Sequence, residues 1–150
     1  STSDWTLIRE CPMPVMLVKE VERPEVPVIL AAIDISVRTQ PYEKLNEHIL
    51  ELSRKLVETK LADVHVVNAF PDFRVTPDPR RLIEVSGLDK SKIHIKLGPP
   101  DRVIVEEAKR LGANLVVVGN SHRSGLAAMM HGNTAEKILD KLDCNVLAMP

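Results

Sequence analysis

The chain has 150 residues, 44% of them hydrophobic and only 3% aromatic, so aliphatic side chains must fill its core. Twenty basic residues against 21 acidic ones leave a net charge of −1, which argues against a general nucleic-acid binder and a polybasic membrane anchor. No apolar run approaches the roughly 20 residues that a bilayer-spanning helix needs. The length suits one domain plus an extension, and the start at Ser1 without Met is expected of a processed or truncated piece.

The first segment, DWTLIRECPMPVMLVKE (residues 4–20), reads as a helix end, a cysteine and an apolar strand. The last one, AEKILDKLDCNVLAMP (residues 135–150), reads the same way, so the chain begins with a copy of its own ending. Residues 22–25, ERPE, form a short proline-containing linker. Val26–Asp34, VPVILAAID, is a continuous apolar run, the mark of a strand covered on both faces. From Pro41 to Lys60 a helix is expected, with Leu45, Ile49, Leu52 and Leu56 as its inner face. Val64–Phe70 is another apolar strand, and FPDFRVTPDPRR is read as loop. One or two helical turns follow in RLIEVSGL, ended by Gly87. KIHIKLG alternates, with Ile93, Ile95 and Leu97 opposite Lys92, His94 and Lys96, which predicts an edge strand exposed on one side. Pro99-Pro100 opens a helix that buries Ile104, Ala108 and Leu111 and stops at Gly112.

The stretch from Asn114 to Pro150 carries the most chemistry. NLVVVG is a buried strand ending at Gly119, and a loop with Gly125 leads to Gly132. Asn133 then caps a helix, with Glu136 completing a capping box and Ala135, Ile138, Leu139 and Leu142 facing inward. CNVLAM is the closing strand. A glycine-bearing loop between a buried strand and a helix N-terminus can hold an anion, because free N–H groups and the helix dipole favour negative charge there. Gly119 and Gly132 also suit the tight turns of any doubly wound fold.

Strands alternating with helices predict an α/β fold: a doubly wound parallel five-stranded sheet in the order 3-2-1-4-5. Its switch point lies between the first and fourth strands, whose C-terminal ends carry Asp34 and Gly119. The closing strand is too apolar for an open edge, so residues 14–18, PVMLV, are expected to pair antiparallel along it. The expected division is a 1–21 tail of a preceding domain, a 22–25 linker and a 26–150 domain.

These residues resemble the universal stress protein superfamily, in particular the second domain of its tandem, E-type members. The carriers are DW-x-L-x-R-x-CP-x-PV before the linker, RSG after Gly119, GNTAE-x-I-L-D, and the cysteine at the last strand. Nucleotide-binding members carry G-x-x-G-(nine residues)-G-[S/T]. Here the frame falls on Gly119, His122, Gly132 and Asn133, so a β-carbon replaces the second glycine and an amide replaces the hydroxyl, with Thr134 next. The resemblance places Asp34 and Ala69 at the adenosine end of a site. It places Gly119, His122, Arg123, Gly132, Asn133 and Thr134 at an altered phosphate end. Asp34 could equally be a turn residue, and His122 and Arg123 solvated loop residues. The segment between the second and third strands is also short beside the family.

The resemblance implies a cytoplasmic, non-enzymatic stress-response module. Its partner would be the preceding tandem domain, as a pseudo-dimer, or a second copy through the last strand. The small molecule it implies is an adenosine-type ligand, ATP or AMP with Mg, and no cofactor is certain. The alternatives are an ATP-binding switch with slow hydrolysis or autophosphorylation, and an interaction domain without nucleotide. No P-loop, nucleophile elbow or paired-cysteine motif is present, and Ser121 and Ser124 beside His122 have no orienting carboxylate. His48, His65 and His94 stand apart in sequence, so no metal site is expected. Cys11 and Cys144 are expected to be reduced thiols, a redox pair being conceivable only if their strands are neighbours.

Overall fold

The computed structural model describes residues 6–8, 10–19, 22–36, 40–121, 124–125 and 139–150. The strands are β1 (Val15–Leu17), β2 (Val28–Ala32), β3 (Asp63–Phe70), β4 (Ile93–Leu97), β5 (Leu115–Ser121), β6 (Ser124–Gly125) and β7 (Asn145–Met149). The helices are α1 (Gln40–Glu58), α2 (Pro79–Ser86) and α3 (Pro100–Leu111), and residues 139–141 are helical as well. The sheet runs β1-β7-β5-β2-β3-β4, with β6 beside β5. The five domain strands are parallel in the expected order, and β1 is antiparallel on β7.

The continuous apolar runs lie in the middle because both sides of each are covered. Ile29, Ala31, Val64, Val66 and Val117 pack with Leu45, Ile49 and Leu50 of α1 and Leu82 of α2. Leu30, Val67, Val116, Val118 and Val146 pack on the opposite face with Val103, Ile104 and Ala108 of α3 and with Leu139 and Leu142. Full burial of each Val, Leu or Ile among them contributes about 1.5–3 kcal/mol. The inner stripe of α1 includes Leu50, 4% exposed, whereas Leu52 is only half-buried. Ser53 also enters that stripe, because its hydroxyl donates back to Ile49 O at 2.8 Å.

The segment expected to be loop is partly ordered. Phe73–Val75 forms a 3-10 turn, and α2 begins at Pro79, two residues earlier than expected. The reason is local: Asp78 caps the helix by accepting from Arg80 N, and Pro79 takes the position where its missing N–H is harmless. At the ends of α2 and α3, Gly87 and Gly112 take φ of 67° and 65°, the left-handed stop a side chain would resist.

β1 closes the apolar edge as expected, with Val15 opposite Ala148 and Leu17 opposite Val146. Aligned at Cys11 and Cys144, the two repeated segments make Val15 and Ala148 equivalent residues, so equivalents face each other across the ladder. Lys19 fastens the far end. Its backbone N–H donates to Asn145 Oδ1 at 2.7 Å, and its ammonium donates to the carbonyls of Leu139 and Leu142. It therefore caps the last helix with a cation, where the dipole favours one.

The strands of Cys11 and Cys144 are thus neighbours, yet both cysteines are free. The ladder extends Lys19 toward Cys144 and leaves Cys11 beyond the opposite end of β1. Burial pushes the Cys144 thiol pKa up, which keeps it protonated and unreactive. Among the described residues, no helix is long and apolar enough to cross a membrane.

Val15 is 9% exposed and packed into the core, whereas Met16 is 47% exposed. Val15→Asp should lower the urea midpoint, costing about 2–4 kcal/mol for a buried charge, and should promote aggregation through the uncovered β7 edge. Met16→Asp should leave both the midpoint and light scattering near those of the parent.

Candidate functional site

The candidate site lies at the C-terminal ends of β3, β2 and β5. Ala32 pairs with Val67, and Ala31 with Val117. Asp34, Ala69 and Gly119 each stand two residues beyond one of those registered positions. The sheet therefore brings these three expected residues to one rim. His122, Arg123, Gly132, Asn133 and Thr134 lie outside the described residues.

Asp34 is held as a turn. Its Oδ1 accepts from Ser36 N at 2.9 Å and from Ser36 Oγ at 2.6 Å, the pattern of an Asx turn. Its own carbonyl accepts from Asn46 Nδ2 of α1 at 2.8 Å. Asn68 ties the next part of the loop down. It is fully buried, at 0% exposed. Its Oδ1 accepts from Ile35 N at 3.0 Å, and its Nδ2 donates to Ala69 O at 2.9 Å. A single side chain thus spans the loop after β2 and the end of β3, the two places expected to hold a nucleoside. Sequence reasoning passed over Asn68, although a polar residue inside an apolar strand run was the available signal.

Gly119 has a packing role. A β-carbon there would drive into the Leu45 side chain of α1, lying 2.9 Å from its Cγ. The glycine lets α1 press onto β5, and Leu45 fills the space above it. Beside this rim a cavity of about 360 Å³ opens between α1 and α2. It is lined by the apolar Ile35, Leu50 and Val85 and by side chains of both charges, Arg54, Arg81 and Glu84 among them. That volume is at the small end of ligand sites, which run from roughly 300 to 1,000 Å³.

Two histidines kept apart by the sequence come together. His65 Nδ1 lies 2.9 Å from His94 Nε2, with the ring planes 17° apart and the centroids 5.1 Å apart. Among the described residues, no group of three or more His, Cys, Asp or Glu side chains could hold a metal ion.

The model of the universal stress protein family matches residues 37–150. The chain belongs to that family. Membership in the universal stress proteins implies a stress-response role. The universal stress protein E homolog of Haemophilus influenzae is 30% identical over 169 residues, taking in 97% of this chain and 55% of that protein. The chain therefore spans about half the length of the curated relatives it matches. A solved protein of unknown function from Pseudomonas aeruginosa PAO1 superposes with a TM-score of 0.80 at 31% identity, over 99% of this chain and 56% of that one. A universal stress protein solved in complex with cAMP shares the fold, with a TM-score of 0.54 at 16% identity over 84% of this chain and 98% of that one.

Because Leu45 occupies the space over Gly119, Gly119→Ala should destabilise the fold by about 1–3 kcal/mol. The penalty should shrink in a Leu45→Ala background, a coupling that denaturant midpoints of the four variants would measure. Equal penalties in both backgrounds would remove the packing explanation.

Proposed function

We propose that this chain is the second domain of a tandem universal stress protein, a non-enzymatic cytoplasmic stress-response module that works through domain pairing and a small-ligand pocket. The observation that carries the reading is the β1/β7 ladder. Residues that repeat the chain's own ending lie antiparallel on that ending, with Val15 opposite its equivalent, Ala148. A two-fold axis between two like domains demands that arrangement. The tail would then be the last strand of the preceding domain, and the pair would form one pseudo-dimer. A homodimer through the last strand is the form open to a chain lacking such a tail.

The pocket would take an adenosine-type ligand without requiring Mg. Asp34 and Ala69 would hold its nucleoside end on the loop that Asn68 and Asn46 fix. Support for a nucleotide of some kind comes from the cAMP-bound protein of this fold. The phosphate end would be weak, since His122 and Asn133 replace a glycine and a hydroxyl of the family frame and Gly119 serves packing.

Calorimetric titration with adenosine, AMP and Mg-ATP checks this reading, with ATP hydrolysis followed in parallel. Adenosine and AMP should bind within about tenfold of each other, Mg-ATP should be no tighter, and His122→Gly should improve Mg-ATP alone. Micromolar Mg-ATP binding with turnover by the parent protein would replace this reading with an ATP switch. No binding by either protein would leave an interaction domain without nucleotide.

A further inference from the structure

The polar side of β4 faces α3, where ionisable side chains of β3, β4 and α3 meet. This group draws on every element packed around it. Asp63 and His65 belong to β3, and Lys92 precedes β4. His94 and Lys96 lie on β4, and Glu107 and Arg110 on α3. Arg110 donates to His94 Nδ1 at 3.1 Å. His94 Nε2 meets His65 Nδ1 at 2.9 Å, and His65 Nε2 meets Asp63 Oδ2 at 3.3 Å.

The two ends of this chain decide where its protons sit. A guanidinium only donates, and a carboxylate only accepts. Arg110 therefore requires a bare Nδ1 on His94. His94 must carry its proton on Nε2 and donate to a bare Nδ1 on His65. His65 must then carry its proton on Nε2 and donate to Asp63. That arrangement requires both rings to be neutral and gives the chain one direction. A further proton on either ring puts two donors face to face, at Arg110/His94 or at His94/His65.

The surroundings offer little relief. Asp63 is engaged by Lys92 Nζ at 2.8 Å. Glu107, 5% exposed, is gripped by both prongs of Arg110 at 2.6–3.2 Å and neighboured by Lys96 at 3.7 Å. It lies 3.9 Å from His94 Nδ1, beyond hydrogen-bond reach.

We propose that His65 and His94 form an acid-sensitive clasp that holds edge strand β4 to β3 and α3 at neutral pH and loosens it on acidification. The titration agrees in sign. Burial holds the His94 imidazole below its ordinary value of 6.5, with Glu107 opposing and His65, Arg110 and Lys96 reinforcing the shift. The folded state then binds fewer protons than the unfolded one. Stability is full above about pH 6.5 and falls as the pH drops through that value toward the folded one. The carboxylates act in a lower window. Lys92 foremost holds Asp63 below its ordinary 3.8. Burial of Glu107 is outweighed by Arg110, Lys96 and His94, which hold it below 4.5. Their contributions are lost only below those values.

The test is a pair of measurements from pH 7.5 to 5. Imidazole nitrogen shifts in the parent protein should show both rings as Nε2–H tautomers at pH 7.5. Amide exchange, corrected for its intrinsic pH dependence, should quicken about tenfold or more in residues 93–97 relative to β5 as the pH falls to 5. In the double variant His65→Gln/His94→Gln, each carboxamide can accept on one side and donate on the other without titrating, and the selective quickening should vanish. A protonated Nδ1 on either ring at pH 7.5 would overturn the clasp. So would equal quickening in β4 and β5, or the same selective response in the double variant. Should the variant not fold, the tautomers and exchange pattern of the parent protein still decide.

Discussion

A parallel sheet buried on both faces must still end somewhere, and here the end strand is as apolar as the middle. Val146 and Ala148 of β7 are 1% and 2% exposed, a state that depends on β1 and the helix beside it. The antiparallel tail supplies backbone partners that no other described element offers β7 on that side. Lys19 ties the tail to the carbonyl end of the last helix, so strand cover and helix cap come from one short segment. The open edge passes outward to β1, a strand of three residues.

At the strand C-termini, the same residues serve packing and the candidate pocket. Asn68 is buried, where an unpaired amide would be costly, and both its polar ends are used on the loop after β2 and on Ala69. Gly119 yields its space to Leu45. Two of the three residues that sequence placed at the pocket thus have sufficient structural reasons to be what they are: Asp34 as a turn and Gly119 as a contact. A ligand there would have to use backbone atoms and the walls beside Ile35 more than a glycine cradle.

The order of the strands was legible because burial leaves a pattern along the chain. Continuous runs gave β2 and β5, alternation gave the edge strand β4, and the internal repeat gave the β1/β7 pairing. Register between strands leaves no such mark. Alternation showed that His94 shares a face with Lys92 and Lys96, but not that this face meets α3. Only the pairing of Val67 with His94 puts His65 on the same patch. The inner stripe of α1 shifted to Leu50 for a related reason, since helical period fixes a face only to within a residue or so. The start of α2 was legible in Asp78-Pro79, but the surrounding prolines had pointed to loop.

Lys19 and Asn145 are 126 positions apart in the chain, and Lys19 and Leu142 are 123 apart. The tail precedes its partner strand by the whole intervening sequence, so the two can pair only once residues 145–149 have been synthesised. Contacts of that span close a large loop and come late, after the more local β-α-β units have formed. Residues 22–25 thus lie between two segments that are far apart along the chain and joined in space. A domain cut there would lose the strand and cap with which its own folding ends.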